Sequence, residues 1–232
     1  GVAPAKWVKF LIYVSIPWAV SIHTVTAFLY AGLPGRGFWL SAIMAPRFLG
    51  SAFASGPSFL ILICPFLRKY TKFDAGWEAI QSLAKIITYA LIISVFFVLC
   101  ELFTVFYSQI PEHMHHFTYL FVGLHGHYGL VAWMWTAIIL AAIALIIMIN
   151  PKTRNNPSTL AIGCGATFLA LWIEKGITLV LTGYIPSPLE TITEYHPTVP
   201  EIAIVIGVWA LGLLILSILY KVALGVKEEV AA

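Results

Sequence analysis

Apolar residues fill this chain in six long blocks, each longer than a soluble core helix needs and long enough to cross a bilayer. They predict membrane helices over roughly 7–32, 48–67, 78–109, 127–149, 158–183 and 200–223. The blocks are apolar on every side and show no ten-residue alternation. That pattern excludes a β-barrel and predicts an all-α integral membrane protein with about six transmembrane helices. After the first block the chain breaks at Gly32-Leu33-Pro34-Gly35-Arg36, and an aromatic stretch over 37–45 predicts a short interfacial piece. Pro57 lies inside the second block and predicts a kink. The third block is long enough to tilt or to project beyond the bilayer. Every connection is under about twenty residues, so residues 1–232 read as one transmembrane domain.

Composition agrees with the pattern. The 232 residues are 60% hydrophobic and 10% charged, with a mean hydropathy of +0.93. A soluble domain carries about 25% charge. The net charge of +3 is small and its cations are scattered, which excludes a nucleic-acid surface. Cys64, Cys100 and Cys164 stand singly in apolar runs without a CxxC, so they read as small buried hydrophobes. Neither an iron–sulfur cluster nor a structural zinc is expected from them.

Charge placement gives an orientation. Lys6, Lys9, Arg68, Lys69, Lys72, Lys152, Arg154, Lys221 and Lys227 flank one side of the six blocks, whereas only Arg36 and Arg47 flank the other. The asymmetry predicts cytoplasmic chain ends in a bacterial-type inner membrane. The loops around 33–47, 110–126 and 184–199 are then outward. These loops and the start of the fourth helix hold Glu112, Glu190, Glu194 and every histidine except His23.

Inside the blocks a few ionisable groups stand out, and each is expensive in hydrocarbon. His23 is nine residues from the outer end of the first helix, a depth of about 13 Å. Glu101 lies eight residues from the outer end of the third, and Glu174 and Lys175 about nine from that of the fifth. His125 and His127 open the fourth helix beside Tyr107 and Tyr128. The inner half offers only Lys85, close enough to its helix end to snorkel. Each group also has an ordinary reading. His23 reads equally as an interhelical hydrogen-bond partner, and Glu174 with Lys175 as a structural ion pair with Glu101. His113, His115 and His116 in EHMHH read as a solvated loop, and the run 50–56 as helix packing through small residues.

A quinone head group suits such a place. It needs a flat apolar slot and one or two polar partners, and quinol oxidation needs proton acceptors leading to water. A bis-histidine haem would need two histidines at matched depth, and His23 and His127 differ in depth. A proton or ion translocator and a purely anchoring protein remain the rival readings. The first lacks polar groups in the inner half beyond Lys85, Thr88, Tyr89 and Ser94.

Two long motifs carry a resemblance. PWAVSIHTVTAFLYAGLPGRGFWLSAIMAPRFLGSAFASGPSFLIL, with its V-S-x-H-[ST] helix, A-P-x-F and S-A-x-x-S-G, resembles the NrfD/polysulfide-reductase membrane subunits of quinone-interacting oxidoreductases. WIEKGITLVLTGYIPSPLETITEYHPTVPEIAIVIG, Trp172 to Gly207, is similar to a second segment of the same family. Within it the likeness is to the DsrP branch, the membrane subunits of DsrMKJOP complexes. The resemblance implies a double four-helix bundle of eight to ten helices, of which this chain would be the C-terminal part. It implies menaquinone as the cofactor, with no haem or iron–sulfur cluster in the chain. The implied partners are an iron–sulfur subunit on the outer face, a multihaem cytochrome c, a haem b membrane subunit and a cytoplasmic iron–sulfur subunit. The surrounding lipid completes the set, and dissimilatory sulfur metabolism through DsrC is the implied context. On this reading His23, Glu101 and Glu174 are the catalytic candidates. His23, Thr24, Tyr107, His127 and Lys175 are the binding candidates. Thr24-Val25-Thr26-Ala27-Phe28-Leu29 lacks the acid that some relatives carry after the histidine.

Overall fold

The computed structural model describes residues 6–71 and 74–231. Lys72, one of the charges used for orientation, lies outside them. Every long element of the described chain is a helix, and six stretches are long and apolar enough to cross a membrane. These are α1 (Lys6–Ala31), α2 (Met44–Tyr70), α3 (Trp77–Ser108), α5 (Val131–Ile149), the span Pro157–Thr182, and α9 (Val199–Ala231). Two shorter helices, α4 (Pro111–Phe121) and α6 (Pro151–Arg154), join α3 to α5 and α5 to the span that follows. That span opens as α7 (Pro157–Trp172) and closes as α8 (Leu179–Thr182). The protein is a multi-pass helical membrane protein.

Two compact units divide the chain. The first takes the residues up to Pro17 and those from Tyr195 onward. Its α9 starts on a cap, where the backbone N–H and hydroxyl of Thr198 both donate to Glu201 Oε2 at 2.7 Å. A hydrogen bond to Glu201 also holds the Tyr195 phenol protonated to higher pH than usual. The membrane-spanning window of α9 buries none of its residues inside the protein.

The second unit, Trp18–Glu194, is built on four spans. Helix α2 packs along α3 and along α7, and α5 packs along α7. Small residues permit this closeness. Ala54 and Ser58 on α2 and Ala84 on α3 are fully buried. A methyl group added at Gly163 of α7 would lie 2.8 Å from Ile147 of α5, so only hydrogen fits there. At the end of the unit that carries the 150–156 connection, α3 and α5 are tied where Thr88 Oγ1 donates to the Met148 carbonyl at 3.2 Å. Pro57 and Pro65 lie inside α2, which continues through both.

The span from Pro157 departs from α-helix. Between α7 and α8 the chain forms a π-helical turn over Ile173–Thr178. Such turns carry one extra residue and recur at functional sites.

Three expectations are corrected at the opposite end. The EHMHH segment is not a solvated loop. It lies in α4, which starts on a proline suited to that position and buries His116, Phe117, Tyr119 and Leu120. His125 and His127 do not open a helix. His125 takes a positive φ of 51°, and Leu124 and His127 pair backbone to backbone around Gly126. Helix α5 begins only at Val131 because Gly123 and Gly126, with φ of 93° and 85°, make a tight turn that a helix cannot contain. Third, α2 starts at Met44, ahead of the expected start, which carries Arg47 inside the helix instead of an outer loop.

Candidate functional site

The buried charges meet on Arg47. This residue, from the first turn of α2, is 4% exposed. Its Nη1 donates to Glu101 Oε2 from α3, and its Nη2 donates to Glu174 Oε1 from the π-helical turn. Lys175 Nζ donates to the same Glu174 oxygen at 3.1 Å and lies 5.3 Å from the centre of the Phe48 ring. One guanidinium, one ammonium and two carboxylates balance formally to zero. Balance is required, because an unpaired charge at this depth is very costly. The pairing is incomplete in one respect: Glu174 Oε2 and Arg47 Nε are buried without a hydrogen-bond partner.

Local structure explains the convergence. Thr178 Oγ1 donates to the Glu174 carbonyl at 2.8 Å, and the Leu179 N–H reaches the same carbonyl. The wide turn thus places Glu174 and Lys175 side by side at the arginine. Above it, Trp39 closes the unit. Its Nε1 donates to the Leu179 carbonyl at 2.9 Å, and Tyr30 and Tyr184 meet its ring edge-on. Gly183 lies so close to Trp39 that an added methyl would overlap the indole.

Two cavities adjoin this end. The first is a slot of about 240 Å³ between α3 and α5. Its walls are aliphatic and aromatic, from Leu91, Leu102, Phe121, Met134 and Ala141 among others, and Glu174 is its only ionisable wall residue among those described. The second is an open cleft of about 220 Å³ between the loop after α1, α4 and the 186–190 turn. It carries His113, His115, His116, Glu112 and Glu190. His115 Nδ1 lies 3.3 Å from Glu190 Oε1. His116 Nδ1 faces the Ile185 carbonyl at 3.4 Å, and burial holds its imidazole neutral to lower pH than usual. No group of three side chains suited to a metal ion occurs among the described residues.

The residues singled out from sequence are placed as follows. Glu101, Glu174 and Lys175 come together, and the partner that joins them is Arg47, which sequence reasoning assigned to a loop. His23 does not join them. It is exposed on α1, and Thr24 beside it is half-buried with its hydroxyl turned back to the Val20 carbonyl. Tyr107 is 78% exposed. His127 lies apart, its Nδ1 3.7 Å from Glu194, whose Oε1 also accepts from the Gly129 N–H. The signal that could have found Arg47 is A-P-R: a proline marks a helix start, so the next residue already lies within the first turn.

The fold and site thus define a helical membrane protein with a charge-balanced cluster held between its spans. The chain belongs to the NrfD family, described as "Polysulphide reductase, NrfD", whose profile matches residues 2–188. A provisionally named membrane component of a dimethyl sulfoxide reductase from Halobacterium salinarum is 27% identical, over 87% of this chain and 50% of its own length. The Hdr-like menaquinol oxidoreductase integral membrane subunit of Archaeoglobus fulgidus is 28% identical, over 97% of this chain and 59% of its own. The menaquinone reductase integral membrane subunit of Nitratidesulfovibrio vulgaris is 26% identical, over 74% and 41%. The chain spans about half the length of the curated relatives it matches.

Proposed function

We propose that this chain is a menaquinone-interacting membrane subunit of a respiratory redox complex. The observation that carries the reading is the pair of buried carboxylates held by one arginine inside the membrane-spanning part. Relatives named for menaquinol and menaquinone chemistry support it. Oxidation of a quinol releases two electrons and two protons. Glu101 and Glu174 accept the protons, and Arg47 and Lys175 offset the carboxylate charge before and after transfer. The electrons leave to an iron–sulfur subunit docked on the face that carries the histidine cleft. The remaining partners are those of a DsrMKJOP-like assembly: a multihaem cytochrome c, a haem b membrane subunit and a cytoplasmic iron–sulfur subunit, linked to dissimilatory sulfur metabolism. The lysine and arginine pattern supports an inner-membrane location with both chain ends cytoplasmic and that cleft outward.

In this reading the chemistry rests on the Arg47 cluster, and His23 stands outside it. The test is quinol oxidation by the assembled complex in its own membrane. Glu101→Gln and Glu174→Gln each slow turnover by about tenfold or more if these carboxylates take the protons. His23→Ala leaves it unchanged. A complex that turns over at the wild-type rate with both glutamates replaced removes them from the mechanism.

A further inference from the structure

Two threonines beside the Trp39 contact are placed in a way that packing alone does not explain. Trp39 meets Leu179 and Gly183. Thr178 and Thr182 precede each of these by one residue and are 2% and 0% exposed. The Thr178 hydroxyl donates to the Glu174 carbonyl, but Thr182 Oγ1 is buried without a hydrogen-bond partner. A buried hydroxyl left so is a standing cost that a valine would avoid. Winding adds a second fact. In an α-helix the eighth residue on stands about 80° away around the axis. The π-helical turn over Ile173–Thr178 winds less per residue, so Glu174, Thr178 and Thr182 come closer to one line. That line is at most about 12 Å long. At its outer end α4 packs against α8 and sets His116 there, with the Ile185 and Thr182 carbonyls against its ring. His116 is 8% exposed and borders the open cleft.

We propose that His116 is the proton relay between the buried carboxylates and the outer cleft, reached from Glu174 along Thr178 and Thr182. This deepens the reading above and rests on it. Glu174 Oε1 is held by Arg47 and Lys175, which leaves Oε2 to carry a proton and give it up, returning to carboxylate. A hydroxyl both donates and accepts, so a threonine passes a proton on without keeping a charge. One helical turn, about 5.4 Å, separates Thr178 from Thr182, and a single water spans a gap of that size. Nδ1 of His116 meets a carbonyl, which only accepts. That nitrogen therefore carries the ring hydrogen, and Nε2 is the free base that takes the proton. Burial holds the imidazole neutral to lower pH than usual, so a proton it takes is passed on and not kept. The cleft gives that proton a way out to water. Glu112, His113 and His115 border it from α4, and Glu190 from the facing turn. On the loop after α1, Arg36 stacks on the Tyr184 ring and does not line the cleft.

The test uses the full-length protein in its assembled complex, in phospholipid nanodiscs, oxidising a short-tailed 2-methyl-1,4-naphthoquinol in weak buffer. His116→Asn keeps an amide for the carbonyl but cannot relay a proton. It is expected to lower kcat by about tenfold or more with KM unchanged. Free imidazole added to the medium enters the open cleft and is expected to restore most of that loss, while leaving the wild type and Glu174→Gln unaffected. Thr182→Val separates relay from packing. Its hydroxyl has no partner to lose, so unfolding temperature is expected to hold or rise while kcat falls about tenfold. Thr182→Ser keeps the hydroxyl and is expected to keep the turnover. Wild-type kcat in both His116→Asn and Thr182→Val, with Glu174→Gln slow, overturns the relay and leaves the reading above standing. A slow His116→Asn that imidazole does not restore, beside a Thr182→Val of wild-type rate, also overturns it. Wild-type turnover with both Glu101 and Glu174 replaced overturns the reading and the relay together.

Discussion

Two polar groupings share one end of the Trp18–Glu194 unit, and they are built in opposite ways. Arg47, Glu101, Glu174 and Lys175 sit in the dry part, each charge touching an opposite one. The histidine cleft is open, and its ion pair, His115 with Glu190, is one-third and more than one-half exposed. The difference follows from the solvent each grouping faces. Where water is absent, charges must satisfy one another inside the fold. Where water reaches, pairs are loose and replaceable.

The sharpest way to break this contrast is Arg47→Met. It leaves two buried carboxylates without their shared counter-charge. The expected loss is about 3–5 kcal/mol, seen as a lower unfolding temperature in detergent or as failure to accumulate in the membrane. Gly183→Ala pushes a methyl into the Trp39 ring and loses about 1–3 kcal/mol in the same assay. Acid then separates the two groupings. The His116 imidazole is held neutral below its ordinary value of 6.5, chiefly by burial, with His113 and His115 adding repulsion. The unfolded chain therefore binds this proton at higher pH than the folded one. Stability is intact above about pH 6.5 and falls as pH drops toward the lower folded value. Thermal unfolding followed against pH should show that acid limb, and His116→Leu should flatten it. Glu112 and Glu190 line the same cleft, so the profile is to be compared with variants of each. The smallest effect is expected from Glu190→Gln, which removes an exposed pair and changes stability by about 0.5 kcal/mol or less. A loss from Glu190→Gln as large as that from Arg47→Met would erase the distinction between wet and dry groupings.

How far the sequence could be read depended on which signal a residue gave. The spans were visible as long apolar blocks, and α3 begins at Trp77 and ends at Ser108, one residue from expectation at each end. Glu101 and Glu174 were visible as carboxylates inside those blocks. Their common partner was not, because a charge-counting rule assigns an arginine near a helix start to the nearest loop. Only the helix beginning at Met44 shows that Arg47 points inward. Helix α4 was hidden for a different reason. Its apolar face is short, and three histidines close together made it look solvated, although His116, Phe117, Tyr119 and Leu120 are buried in it. The His125–Gly126–His127 turn was missed because a positive φ at histidine has no compositional mark.

The π-helical turn at Ile173–Thr178 makes the span that holds it intolerant of small edits. One residue of an α-helix corresponds to about 100° of rotation about its axis. Deleting Gly176 while the turn stayed wide should swing Leu179 and the rest of the span by about that angle. The carbonyl that anchors the Trp39 indole would face another direction. The span would still be apolar and still long enough, so the chain would insert into the membrane and yet be unable to close its own lid.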